Sequence, residues 1–174
     1  MGQRTCLIVQ KHDKESDKRQ TRVFYCGWGI GRILPSQLIA ILNGTLSTRP
    51  YSEDFIKSLK PQGTQDITEH YTEEQLSDAD FDKPILVGNI IEDADNNNGG
   101  LFVKITATGK MGEDIELIEY AYMLGHEEGG DYKQFCTAED WFEKAGGKYI
   151  DDDFRAIYDA TLRYFEAKEH AITK

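Results

Sequence analysis

The stretch TCLIVQKHDKESDKRQTRVFYC, residues 5–26, decides how the fold begins. Residues 5–10 and 21–26 are rich in β-branched and aromatic side chains, and the charged residues 11–20 lie between them. Two such runs around a segment that cannot be buried are typical of a β-hairpin with a long loop. The glycine-rich sequence GWGIGR, residues 27–32, follows at once, so we expect the second strand to run through a loop into a helix.

The rest of the chain contains both strand-like and helix-like segments. Residues 85–91 and 101–108 are apolar runs joined by the turn-like EDADNNNGG, residues 92–100, and they predict a second hairpin. Further strands are predicted at residues 115–124 and 132–136, and helices at residues 35–42, 52–59, 73–80, 138–144 and 154–165, the last of them amphipathic and C-terminal. We therefore expect an α+β fold with a mainly antiparallel sheet built from hairpins, helices packed on one face, and a single domain over residues 1–174.

Length and composition fit one globular domain. The chain has 174 residues, of which 39% are hydrophobic, and its apolar runs are too short to span a bilayer. The N-terminus lacks the apolar segment of a secretory signal. Cys6, Cys26 and Cys136 are too scattered for a disulfide framework or a zinc site. We therefore expect a cytoplasmic protein with reduced thiols, no metal and no cofactor.

The formal charge of −11 is unevenly distributed along the chain. Residues 1–49 carry a net charge of +5, whereas residues 50–174 carry −16. Such an acidic body repels nucleic acid and anionic membranes, so we do not expect it to bind either directly. We expect a protein partner instead. The acidic surface either imitates nucleic acid and occupies a basic protein, or simply keeps the protein soluble. The dispersion of the acids favours the second interpretation.

The glycine-rich loop at residues 27–32 is the most suggestive motif. Glycines between a strand and a helix let backbone N–H groups approach a phosphate, and Arg32 adds positive charge. However, the spacing differs from that of the dinucleotide fingerprint, the Gly-Lys-Ser/Thr of a P-loop is absent, and an antiparallel strand before the loop does not suit a Rossmann unit. A tight turn in which Trp28 packs on the core explains the same residues, and the sequence favours this turn.

A calcium-like pattern lies farther along the chain. Asp93, Asp95 and Asn97 resemble the start of a calcium-binding loop, but Lys104 stands where the closing Glu is required. An exposed hairpin tip accounts for the same residues, because Asn and Asp tolerate turn geometry.

Two cysteines offer further hypotheses. Pairing of the first hairpin about its midpoint brings Cys6 near Cys26, where packing of the two thiols is favoured over oxidation or binding of a soft metal. Cys26 as a nucleophile with His126 as its base is a second hypothesis, weighed against burial of Cys26 as a small apolar residue.

The N-terminal region resembles a set of small bacterial and phage proteins that begin Met-Gly-Thr-Arg and continue into Gln-Tyr-x-Gln-Trp-Asp-Gly-Tyr-Pro. The resemblance rests on MGQR, residues 1–4, on FYCGW, residues 24–28, and on the strand-like IEYAYM, residues 118–123. The chain has Gly29 where that family has Asp, and it lacks the Tyr-Pro. The resemblance implies a shared N-terminal hairpin, with binding positions to be tested at Arg4, Tyr25 and Trp28.

The N-terminal strand and hairpin are also similar to those of N-terminal-nucleophile hydrolases. That likeness implies that Thr5 or Cys6, exposed by cleavage, would attack with its own amine as the base.

These features together predict a non-enzymatic protein-binding accessory protein of bacterial or phage origin, acting through its acidic surface or its N-terminal glycine-rich loop. The alternative is a small-molecule or anion-binding domain, or a hydrolase of the N-terminal-nucleophile or Cys-dependent kind, with its site at residues 27–32. The expected ligand-binding residues are Arg4, Tyr25, Cys26, Trp28 and Arg32.

Overall fold

The computed structural model describes residues 4–26, 64–95, 98–109 and 114–144. Within these ranges five strands form one mixed sheet in the order β3-β2-β1-β4-β5. The strands are β1 Thr5–Asp13, β2 Lys18–Cys26, β3 Thr64–Asp66, β4 Gly100–Thr108 and β5 Asp114–Met123. The helices are α1 Glu73–Asp78, α2 Pro84–Asp95 and α3 Ala138–Lys144, with 3-10 turns at Thr68–His70 and His126–Glu128. The predicted α+β class is confirmed.

The first hairpin forms as predicted, but its loop is much shorter than residues 11–20. β1 and β2 pair without interruption as far as Asp13 and Lys18, leaving a four-residue turn at residues 14–17. Asp13 stabilises this turn, since its two carboxylate oxygens accept from the backbone N–H of Glu15 and from the hydroxyl of Ser16, each at 3.0 Å. The charged residues therefore continue the strands, because their side chains remain in contact with solvent.

The predicted second hairpin is wrong, because residues 85–91 lie in α2. β4 pairs in parallel with β1, and parallel neighbours require a crossover connection, in which α1 and α2 lie. The antiparallel partner of β4 is β5, so the strand predicted at residues 115–124 is confirmed. A short apolar run such as ILVGNII does not distinguish a buried helix from a strand by its periodicity.

Both faces of the sheet are covered. All residues from Thr5 to Gln10 are buried, although alternate positions of a strand face opposite sides. One face packs against Val87, Ile90 and Ile91 of α2 through the sheet residues Cys6, Ile8, Val23, Phe102 and Met123. Tyr122 follows on the opposite face and stacks on Trp141 of α3, with ring centroids 4.7 Å apart. Helical side chains thus contact both faces, which corrects the prediction of helices on one face.

The short helices α1 and α3 follow local sequence signals. A capping box between Thr72 and Gln75 begins α1, and α3 spans the predicted residues 138–144 with Thr137 as its N-cap. The strand predicted at residues 132–136 is reduced to a single antiparallel bridge between Cys136 and Tyr122.

Several predicted features lie outside the described residues. They are the glycine-rich loop at 27–32 and the helices at 35–42, 52–59 and 154–165. Among the helices that are described, none is long and apolar enough to cross a membrane.

Candidate binding surface

Two buried polar side chains of the sheet hold the C-terminal end of α1. Gln10 and Thr21 lie opposite each other in the first hairpin. The Nε2 of Gln10 donates to the carbonyl oxygen of Ala79 at 2.8 Å, and the hydroxyl of Thr21 donates to that of Leu76 at 2.6 Å. The last carbonyls of a helix have no partner within the helix, so these bonds satisfy them and fix α1 on the sheet.

An ion cluster attaches the segment between α1 and α2 to the same face. The carboxylate of Asp80 accepts from Arg19 at 2.7 Å and from Lys104 at 3.1 and 3.2 Å. Burial by itself would raise the pKa of Asp80, but the hydrogen bonds from Arg19, from the backbone N–H of Phe81 and from Lys104 together lower it below 3.8. This carboxylate is fully engaged by protein groups, so we assign the cluster a structural role.

The segment held in this way is strongly acidic. Residues 68–95 contain nine Asp and Glu but only one Lys. The acids whose residues are exposed to solvent, which we call the acidic surface, are Glu69, Glu73, Glu74, Asp82, Glu92 and Asp93. Glu73 and Glu74 also stabilise α1 as a helix, because acids in the first turn interact favourably with its positive end. Helix stability does not require the remaining acids, which leave a concentrated negative field on one side of the molecule.

An isoleucine lies among these acids. Ile85 is 60% exposed, and among the described residues it is the only large hydrophobic residue classed as exposed. Ile85, Asn89 and Glu92 share the solvent-facing side of α2 at helical spacing. A single exposed apolar side chain is ordinary on a protein surface, but here it sits within a patch whose charge already favours a cationic partner.

A small cleft lies between the sheet edge and α2. It encloses about 290 Å³ and is lined by Tyr25, Ile67, His70, Tyr71, Asp93 and Ala94. Tyr25 pairs with Cys6 in β1 and with Gln65 in β3, so two strand partners define its place in the sheet. Asp93 belongs both to this cleft and to the acidic surface, and the two features are therefore continuous.

A wider groove of about 720 Å³ lies on the far side of β5, where Cys136, Phe135, Asp140 and Lys144 are among its lining residues. Burial, and then the neighbouring carboxylate of Asp140, raise the pKa of the Cys136 thiol to about 11. A thiol with so high a pKa is almost entirely protonated at neutral pH and makes a poor nucleophile. The groove therefore carries no activated cysteine.

The structure distributes the predicted ligand-binding residues differently from the expectation. Tyr25 lines the cleft, whereas Arg4, half-buried just before β1, does not belong to its lining. Cys26 ends β2 opposite Thr5, and Cys6 pairs with Tyr25, so the two cysteines are not cross-strand partners. Trp28 and Arg32 lie outside the described residues.

The catalytic hypotheses gain no support from the described geometry. His126 lies 3.4 Å from a carboxylate oxygen of Glu92 and packs edge-on against Tyr132, and neither contact involves Cys26. Thr5 and Cys6 are fully buried within the sheet. A nucleophile at either position cannot reach a substrate unless the sheet opens, which argues against the N-terminal-nucleophile interpretation.

The first two residues of the calcium-like pattern, Asp93 and Asp95, lie in α2 and not at a hairpin tip, whereas Asn97 lies outside the described residues. Asn98 is buried and donates to the carboxylates of Glu127 at 2.9 Å and Glu128 at 3.0 Å. Throughout the described ranges, no group of three or more His, Cys, Asp or Glu side chains is arranged to hold a metal ion.

Sequence reasoning missed the residues that complete the cleft and the ion cluster. Tyr71 and Asp93 approach Tyr25 only because the sheet edge and α2 meet in space. Asp80 carries no local signal that separates it from the neighbouring Asp78 and Asp82. The density of acids over residues 68–95 was the one available signal, and it indicates a surface rather than particular contacts.

Comparison of the chain with protein-family models, with curated proteins and with solved structures gives no significant match. Functional inference therefore rests on the chemistry of the described residues.

Proposed function

We propose that this protein is a non-enzymatic binding protein that contacts a basic region of another protein through its acidic surface. The observation that carries the proposal is the number of exposed acids within residues 68–95, a segment that Gln10 and the Asp80 ion cluster anchor to the sheet. Among these acids, Glu92 contacts His126. An anchored surface loses little conformational entropy when a partner binds, and its field speeds association with a positively charged protein.

The charge pattern favours a protein partner over nucleic acid. Phosphate backbones are bound by Lys and Arg, whereas the acidic surface repels them. Ile85 adds an exposed apolar side chain on the helix that carries Glu92 and Asp93, and a partner protein supplies the matching apolar surface. As part of the same proposal, the protein acts in the cytoplasm as an accessory protein of bacterial or phage origin. The scattered cysteines and the N-terminal resemblance support that part.

The alternative of a small-molecule or anion site at residues 27–32 remains a separate prediction. Two cations of the described sheet, Arg19 and Lys104, are both paired with Asp80. They therefore offer no additional observation in favour of an anion site.

Neutralising three acids of the surface tests the proposed function. In a variant with Glu73→Gln, Glu74→Gln and Glu92→Gln, we expect the affinity for the partner to fall roughly tenfold, because three exposed ion pairs at about 0.5 kcal/mol each contribute about 1.5 kcal/mol in total. The partner is isolated from a lysate of the source organism with the wild-type protein and identified. Its affinity for each form is then measured by titration at low and high salt.

A control variant with Glu15→Gln, Asp131→Asn and Glu143→Gln changes the net charge equally at exposed positions elsewhere. It should bind within about twofold of the wild type, since long-range charge effects are screened beyond the Debye length. Equal losses in the two variants, or capture of no partner by the wild type, would contradict the proposal.

A further inference from the structure

The cleft beside β2 combines aromatic rings with a carboxylate. Tyr25 comes from β2, Tyr71 from the segment after the first 3-10 turn, and Asp93 from α2. Ile67 and Ala94 add apolar lining, and His70 completes it. Its volume of about 290 Å³ is near the lower limit for small-molecule pockets, so it suits one side chain better than an extended ligand.

Backbone and side-chain hydrogen bonds hold the ring of Tyr71 in place. The backbone of Val23 accepts from the N–H of Ile67 at 2.9 Å and donates to the hydroxyl of Thr68 at 3.0 Å. This extends the sheet edge up to the 3-10 turn that precedes Tyr71. The hydroxyl of Tyr71 then donates to the carbonyl oxygen of Ile90 in α2 at 3.2 Å. The ring is therefore tied to the helix that carries Asp93.

We infer that this cleft binds a cationic side chain, a guanidinium or an alkylammonium, supplied by the basic partner. The inference rests on the proposed function and names the anchor of that interface. A cation is attracted to the faces of tyrosine rings and pairs with a carboxylate, and both interactions strengthen as water is displaced. The surrounding acids reject an anionic group and raise the local concentration of cations.

The chemistry also indicates why a cation fits better than a neutral side chain. An aliphatic group in the cleft would cover the carboxylate of Asp93 without pairing it, and a desolvated charge without a partner is unfavourable. A guanidinium fills the same space, stacks on aromatic rings and donates to the carboxylate at once. The cleft thus selects for a positive charge that pairs with Asp93 and for a flat or extended stem that contacts the tyrosine rings.

The experiment is a titration of the full-length, isotopically labelled protein with N-acetyl-arginine-N-methylamide, followed by amide NMR signals. The matching lysine derivative and the neutral norleucine derivative are the comparison probes. We expect both cationic probes to shift the signals of Tyr25, Ile67, Tyr71 and Ala94 in a saturable manner. The norleucine probe should leave them unchanged. Saturable shifts with norleucine, or shifts spread evenly over all exposed acids, would overturn the inference.

One acid of the cleft and one acid far from it provide a matched pair of variants. Asp93→Asn should weaken binding of the arginine probe about fivefold, in the range of an exposed to partly desolvated ion pair. Glu143→Gln removes one exposed negative charge from α3, which packs on the opposite face of the sheet, and should change the affinity less than twofold. Equal effects of the two variants would show that only the general field matters.

A second pair of variants tests the contribution of Tyr25. Tyr25→Phe retains the ring and should retain most of the affinity, whereas Tyr25→Leu should lose it as strongly as Asp93→Asn does. Thermal unfolding of each variant is measured to check that its fold is intact. If Tyr25→Leu bound the arginine probe as tightly as the wild type, the ring would not contribute to binding and the inference would be overturned.

Failure of this inference and failure of the proposed function have different outcomes. If the variant with three neutralised acids loses the partner while Asp93→Asn and Tyr25→Leu retain it, the proposed function is supported and the inference about the cleft is wrong. If the cleft binds the arginine probe selectively but no partner depends on the acidic surface, the proposed function fails instead.

Discussion

A Gly88→Ala variant is expected to be less stable than the wild type by about 2 kcal/mol, even though alanine is the better helix former. Gly88 lies in α2 against the backbone of Tyr132, and a Cβ at residue 88 would overlap the carbonyl oxygen of Tyr132. Helix propensity favours alanine by about 1 kcal/mol, whereas overpacking against a backbone atom costs about 3 kcal/mol. Urea unfolding followed by tryptophan fluorescence measures the net difference.

The neighbouring backbone has little freedom to relieve this overlap. Tyr132 has a φ of 59°, an uncommon value for an aromatic residue, and its side chain is 2% exposed. Asn89→Ala is the matched control on the solvent-facing side of the same helix, where alanine should be neutral or slightly stabilising. If Gly88→Ala were as stable as Asn89→Ala, the close packing of α2 on the segment at Tyr132 would be wrong.

Asp80→Asn is expected to lower the free energy of unfolding by about 2 kcal/mol, between the values for exposed and for buried ion pairs. The Asp80 side chain is 19% exposed, and it accepts from Arg19 and from Lys104, whose side chain is 13% exposed. An amide of the same shape removes the negative charge and leaves two half-buried cations facing each other. Equilibrium unfolding in urea at neutral pH measures this loss.

The pH dependence of this variant provides an independent check. Because the fold lowers the pKa of Asp80 below 3.8, its stabilising contribution is fully present above pH 3.8 and is lost as the pH falls below that value. The difference between wild type and Asp80→Asn should therefore be constant near neutral pH and shrink in acid. Asp82→Asn, at an exposed residue nearby, should change the stability by less than about 0.5 kcal/mol. A constant difference down to strong acid would contradict the assigned ion cluster.

Local signals in the sequence were sufficient where the chemistry itself is local. The predicted helices at residues 73–80 and 138–144 begin at the capping box of Thr72 and Gln75 and at the N-cap Thr137, because each cap satisfies backbone groups within its own helix. The two strand-like runs at residues 5–10 and 21–26, on either side of a charged segment, likewise predicted the first hairpin. Nothing local distinguished residues 85–91 as a helix, since the choice depends on the parallel pairing of β1 with β4.

The candidate site was predictable only in part. Tyr25 was singled out by the N-terminal resemblance, and the structure places it in the cleft. The remaining lining residues are separated from Tyr25 by more than forty positions in the chain. Their approach follows from sheet order and helix packing, which no local pattern encodes.

The sequence by itself determined the α+β class, the first hairpin and the acidity of residues 68–95, because strand propensity, turn chemistry and charge belong to individual residues and their near neighbours. Only the tertiary structure decided that β1 and β4 run in parallel, that Asp80 joins Arg19 to Lys104, and that Tyr25 meets Asp93. Those outcomes depend on burying an apolar helix against the sheet and on satisfying the polar groups trapped beneath it. Both requirements are met only when residues far apart in the sequence come together in the folded chain.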